Sequence, residues 1–260
     1  MRKYGFKTFS SNLRSNPKIF DDIKEYVGAH KDRMFVEFMI VPGTLESELS
    51  VLKDKFFDIE VRIHAPHHLL GFDAGNKGLE LSNRKMFELS QTAADILNAK
   101  TIVVHSGCGQ GIGTIKETVR QFNLFDDERI VVENLPLGDD LKLSANTPDE
   151  VLYIKEHCGC GFCFDFSHAL GAANYLGIDR EEQLLGFYRL RPDVYHLCDG
   201  MIDETSDKHW HFGEGNYPLQ HFVKDYTDGD AYITMETGQG APKGIEPWID
   251  DFEFMLEIEK

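Results

Sequence analysis

Six short apolar runs in this chain end in a side chain able to bind a metal or move a proton. The endings are Arg62-Ile63-His64, Val103-Val104-His105, Val131-Val132-Glu133, Phe164-Asp165 with His168 just beyond, Tyr195-His196, and Thr234-Met235-Glu236. One such histidine would be an ordinary hydrogen-bonded core residue. Six endings in succession, each behind an apolar stretch, point to a common destination. Facing carboxylates at close range repel one another and take up protons unless a cation compensates them. Mixed imidazole and carboxylate donors suit zinc, manganese or iron better than calcium. A further segment, Asp207-Lys-His209-Trp-His211-Phe-Gly213-Glu214-Gly215, follows the run that carries His196. In an extended strand Asp207 and His209 would reach one ion from the same side, and His211 would continue the alternation.

The elements that must position these groups are legible in the same pattern. β-branched and aromatic runs recur at Tyr4–Phe9, Met34–Met39, Glu60–His64, Thr101–His105, Arg129–Glu133, Gly161–Phe166, Asp193–Leu197 and Ala231–Glu236. Between them lie amphipathic stretches with helix signals. Asn16-Pro17 offers an N-cap followed by proline at the first helical position. Thr147-Pro-Asp-Glu150 has the form of a capping box, and Leu81–Leu97 is a long run of good helix formers. Eight strands alternating with helices in a chain of 260 residues predict one α/β domain over residues 1–260, a closed (β/α)8 barrel. In such a barrel the C-terminal strand ends converge on one face, where the chemistry is placed. A doubly wound sheet is the rival, but no phosphate-binding glycine signature follows the first run. Gly107-Cys-Gly109-Gln-Gly111-Ile-Gly113 has the wrong spacing for one and reads as a flexible strand-to-helix loop beside the site.

Composition narrows the partners. Lys and Arg number 27 against 44 Asp and Glu, a formal charge of −17, and no basic cluster of the kind that grips nucleic acid is present. No apolar run approaches the roughly 20 residues needed to span a membrane. The first residues lead straight into a strand without an apolar leader, so a cytoplasmic location is expected. The five cysteines, Cys108, Cys158, Cys160, Cys163 and Cys198, form no disulfide framework. Cys158-Gly-Cys160-Gly-Phe-Cys163 lacks the second ligand pair that a zinc knuckle requires, so reduced thiols are expected.

With these motifs in view, the chain resembles the endonuclease IV family within the xylose-isomerase-like barrels. The resemblance runs from the third strand to the eighth. It rests on Val104-His105-Ser-Gly, Glu133-Asn134, Asp165-Phe-Ser-His168-Ala, and Asp207-Lys-His209 followed by Gly213-Glu214-Gly215. It implies a ligand set of His64, His105, Glu133, Asp165, His168, His196, Asp207, His209 and Glu236, and up to three zinc ions. Glu133 would bridge two ions, one also held by His64 and His105, the other by Asp165, His196 and Glu236. His168, Asp207 and His209 would hold the third. The loop after the second strand, where that family carries a DNA-inserting arginine, reads Met39-Ile-Val-Pro-Gly-Thr44 here and has none. After the third strand the loop presents His67 and His68 nearest the site.

Two functions follow from the resemblance. A phosphoester hydrolase would use clustered metals to polarise water, neutralise phosphate oxygens and stabilise the leaving alkoxide, acting on abasic DNA or a small phosphate ester. A sugar or sugar-phosphate isomerase or epimerase, the other large branch, would use Glu133, Asp165, His196 and Glu236 around one ion, with manganese as an alternative metal. In that branch Glu133 and Glu236 would shuttle a proton next to a carbonyl. The Asp207/His209 pair favours the hydrolase; the acidic charge favours a neutral sugar.

Overall fold

The computed structural model describes residues 1–139, 142–238 and 243–260. Eight parallel strands close on themselves in chain order. They are β1 (Lys3–Phe9), β2 (Met34–Met39), β3 (Val61–His64), β4 (Ile102–Val104), β5 (Ile130–Glu133), β6 (Gly161–Asp165), β7 (Val194–Leu197) and β8 (Tyr232–Met235). Every run expected from the sequence is a strand, and the ends differ by a residue or so. The expected (β/α)8 barrel is therefore the fold.

Period-two alternation divides each strand between two environments. Outward residues such as Phe6, Phe38, Ile63, Val104, Val132, Phe164 and Ile233 are buried against the surrounding helices in one large core. Its tightest ring contacts are Phe164–Phe166 at 4.3 Å and Phe87–Phe125 at 4.4 Å between centroids. Inward residues fill the barrel itself. Val103, Val131, Cys163 and Val194 form a small apolar cluster inside it, with Tyr232 against them. Arg62 lies 3.8 Å over the Tyr232 ring and 5.4 Å from that of Phe35. Phe35 can lie there because Gly5 faces it; a Cβ on Gly5 would come within 2.4 Å of the Phe35 ring.

The helices conform to their local signals with two exceptions. The long helix expected at Leu81–Leu97 runs from Glu80 to Leu97. After β1 and a short Asn12–Ser15 helix, a longer helix begins at Lys18, with Pro17 rather than Asn16 in the capping position. In the 148–158 helix Thr147 accepts from the Glu150 amide, but the Glu150 carboxylate turns to the Asn146 amide instead of closing the box. The glycine-rich 107–113 segment does join β4 to a helix, which starts at Ile112. It packs on the 73–75 turn, where Asp73 Oδ1 accepts from the Cys108 and Gly75 amides. It does not line the central cavity among the described residues. All five cysteines are free.

Candidate metal centre

The register sets the site. Asp165 lies beside His196 across β6–β7, Glu133 beside Cys163 across β5–β6, and Lys7 beside Glu37 across β1–β2. The nine residues singled out in the sequence all reach the C-terminal mouth of the barrel.

Glu133 is the hub and is 1% exposed. Its Oε2 stands 3.2 Å from His64 Nε2 and 3.1 Å from His105 Nε2. Its Oε1 stands 3.2 Å from His168 Nδ1 and 3.5 Å from His196 Nδ1. Three sets of donor atoms each fall within 4.8 Å of one another: His64, Glu133, His196 and Glu236; Glu133, Asp165 and His168; and His168, Asp207 and His209. The His168, Asp207 and His209 set is the grouping implied by the resemblance for the third ion, whereas the other two sets overlap their implied groupings without matching them. His64 falls with His196 and Glu236, and His168 is shared between Asp165 and Asp207.

Local chemistry aims each donor. His64 Nδ1 donates to the Ala65 carbonyl at 2.7 Å, which leaves Nε2 as the free nitrogen toward Glu133. Asp165 caps the 166–176 helix, Oδ1 accepting from the His168 amide and the Ser167 hydroxyl, both at 2.8 Å. Asn134 clamps the Asp165 backbone from both sides at 2.8 Å. His168 Nδ1 is 3.0 Å from the Asn134 carbonyl, and its Nε2 is 3.3 Å from Asp207 Oδ2.

The 199–217 loop carries Asp207 and His209, and they do not meet as an extended strand would bring them together. His209 has φ +50°, a left-handed conformation, and its amide turns back to Asp207 Oδ1 while Nε2 touches Asp207 Oδ2. A turn, not alternation, makes the pair. His211 leaves the site and hydrogen-bonds Asp251 at 2.7 Å. Asp199, buried, holds the loop by accepting from the Gly200, Gly213, Gly215 and Tyr217 amides.

Burial and close neighbours perturb the ionisation of these groups, raising His168 and His196 well above the ordinary imidazole value through the carboxylates beside them even though burial opposes it. Asp165 is pushed up to about 6 by burial and by the neighbouring charges of Asp207, Glu133 and Glu236. Glu133 stays well below the usual carboxylate range although burial opposes it, because His105 and His196 lie alongside. Burial pushes His105 down to about 4. His105 Nδ1 and His196 Nδ1 are buried with no aligned hydrogen bond, even though the latter is 2.6 Å from Glu236 Oε1. An imidazole nitrogen and a carboxylate oxygen held side by side out of bonding alignment, as His196 Nδ1 and Glu236 Oε1 are, fit a divalent cation between them.

Two members of the site were not foreseen. Lys7 touches Glu236 and stands 3.7 Å from Glu37, which is fully buried. A charged residue at an inward position of an otherwise apolar run was the available signal in both strands. Above the donors opens a cavity of about 650 Å³. Its walls carry Phe9, Met39, Leu69, Leu137, Leu143 and Trp248, together with His67 and His68. Lys7 is the only Lys or Arg among its described lining residues.

Residues 3–258 match the family described as xylose isomerase-like TIM barrel. The chain belongs to that family. Within it, a curated relative named probable endonuclease 4, from Mycobacterium leprae, is 26% identical over 225 residues, covering 82% of this chain and 84% of the relative. The crystal structure of endonuclease IV from Thermus thermophilus superposes with a TM-score of 0.71 at 20% identity, covering 99% of this chain and 98% of that one. A D-tagatose 3-epimerase-like protein superposes with a TM-score of 0.67 at 18% identity, covering 98% and 96%. Proteins named as endonucleases and as epimerase-like thus both share the fold of this family member.

Proposed function

We propose that the chain is a metal-dependent phosphoester hydrolase of the endonuclease IV kind. His64, His105, Glu133, Asp165, His168, His196, Asp207, His209 and Glu236 would hold up to three divalent ions, zinc by preference. The observation that carries this reading is the His168–Asp207–His209 group, which adjoins the Glu133-centred donors and which a one-ion enzyme would not need. Bound there, divalent ions would supply Lewis-acid charge at the phosphoryl oxygens and at the leaving alkoxide. The chain's own part is positional. Glu133 presents each of its oxygens to a different histidine pair, Asn134 and Ser167 fix Asp165, and Asp207 draws His168 and His209 to one point. Lys7 places one fixed positive charge on the cavity floor next to Glu236. Substrates that suit the cavity are small phosphate esters or the phosphodiester at an abasic site.

A second reading draws on the apolar walls of a cavity with so little cationic lining. A ketose would fit there, with Glu133 and Glu236 trading a proton next to its carbonyl around one ion, manganese included. Metal analysis of protein purified without chelator separates the two. More than two transition-metal ions per chain, mainly zinc, supports the hydrolase. A single ion, with activity restored by manganese and a free ketose epimerised, overturns it.

A further inference from the structure

One carboxylate inside the barrel lies outside the proposed ligand set. Glu37, on β2, is fully buried. Its Oε2 accepts from His196 Nε2 at 3.2 Å and from the Thr234 hydroxyl at 2.9 Å. Its Oε1 has no aligned hydrogen bond, with Lys7 Nζ 3.7 Å away. Burying a carboxylate is costly unless its oxygens are satisfied. Packing alone gives no reason for it, since Val103, Val131 and Val194 fill other inward positions with apolar groups.

The bonding explains the choice. A carboxylate can only accept, so the proton between Glu37 and His196 belongs to His196 Nε2. That leaves Nδ1 as the nitrogen facing Glu236 Oε1 at 2.6 Å and Glu133 Oε1 at 3.5 Å. The Thr234 hydroxyl, opposite His196 in the β7–β8 register, fixes the same carboxylate oxygen from the other side.

We infer that Glu37 is a positioning residue for His196, fixing its ring orientation and tautomer and strengthening Nδ1 as a donor to a divalent ion. A carboxylate behind a ligating histidine acts in this way. Lys7 contacts Glu236 more closely than Glu37, so its charge acts mainly on Glu236 and leaves Glu37 to the histidine. The inference rests on the reading of the site as a metal centre and adds a residue that would touch neither ion nor substrate.

The test compares chelator-stripped wild-type protein with Glu37→Gln, which keeps the side chain's shape and removes its charge. Zinc affinity is measured by competition with a chromophoric chelator, and the visible spectrum is recorded with cobalt bound. Glu37→Gln is expected to weaken one zinc site by about 10–100-fold and to shift the cobalt bands, with the far-UV circular dichroism unchanged. Thr234→Val, which removes one hydrogen bond to Glu37 and keeps its charge, should act in the same direction but less. A folded Glu37→Gln with wild-type affinity and an unaltered cobalt spectrum overturns the inference; if that variant does not fold, wild-type affinity in Thr234→Val overturns it instead. Wild-type protein that takes up neither zinc nor cobalt would sink the metal reading itself, an outcome distinct from any of these.

Discussion

Glu133 faces four imidazoles with two oxygens, so it is the residue whose change should do most. Glu133→Gln loses the charge and one anionic oxygen; bound metal should fall and activity should drop by more than the roughly 10–100-fold typical of residues behind a ligand. His211→Ala and His67→Ala should leave metal content near wild-type, since His211 bonds Asp251 and His67 lies against His105 with ring centroids 5.5 Å apart, outside every donor set. Metal loss in His211→Ala would show that the 199–217 loop has a different ligand order. His67 offers a pH experiment as well. Burial, reinforced by the neighbouring His105, pushes its imidazole down to about 2 from an ordinary value of 6.5. The folded chain therefore keeps His67 neutral between pH 6.5 and about 2, where the unfolded chain protonates it. The unfolded state binds the extra proton, so stability is whole above about pH 6.5 and declines as pH falls below it. In chelator-stripped protein, Tm should drop more between about pH 7.5 and 5.5 for wild-type than for His67→Gln. Equal slopes would refute the assignment.

At the scale of elements, the strands could be read from the sequence because each is rich in β-branched or aromatic residues, and in six of the eight runs a polar group at or just beyond the end lands at the barrel mouth. The 199–217 loop was harder. Asp207 and His209 do come together, but not by the alternation the sequence suggested, because no period describes a turn in which His209 takes φ +50°. Lys7 and Glu37 escaped notice because attention fell on strand ends, and both are inward residues before the end of their strands. The scaffold of that loop was equally silent in sequence: Asp199 gathers amides as far as Tyr217, a contact set by tertiary folding. Asp199→Asn leaves fewer acceptor lone pairs and no charge for four amides, two of them buried, which should cost about 2–4 kcal/mol of stability and loosen Asp207 and His209. Gly215→Ala tests the same joint sterically, because its Cβ would stand 2.2 Å from the Gly200 carbonyl oxygen. Calorimetry and metal analysis should report a lower Tm together with loss of one ion from both variants. A destabilised loop with full metal content would separate the scaffold from the site.

For the molecule as a whole, charge decides what can approach the mouth. The formal charge of −17 counts the four ligand carboxylates as ionised, and three divalent ions would lift it by six. Near the ions a single phosphate would still be attracted, whereas the acidic surface around them opposes a long polyanion. A groove for duplex DNA is lined with Lys and Arg, and binding then weakens by about 0.9 log units per log unit of salt for each phosphate contacted. Here the described cavity wall offers Lys7 alone, and Lys7 already faces Glu236 and Glu37. No helix among the described residues is long and apolar enough to cross a membrane. The expectation is weak binding to intact duplex, with cleavage at an abasic-site analogue only at high enzyme concentration, and faster turnover of a small phosphate ester. Duplex nicking, ester hydrolysis and ketose epimerisation should be run side by side on metal-replete protein at physiological salt. Efficient nicking at nanomolar enzyme would show that the metals alone overcome the surface repulsion, and the charge argument would fail. Epimerisation with no esterase activity would leave the charge argument standing and overturn the hydrolase, because a neutral sugar is indifferent to the field that excludes DNA.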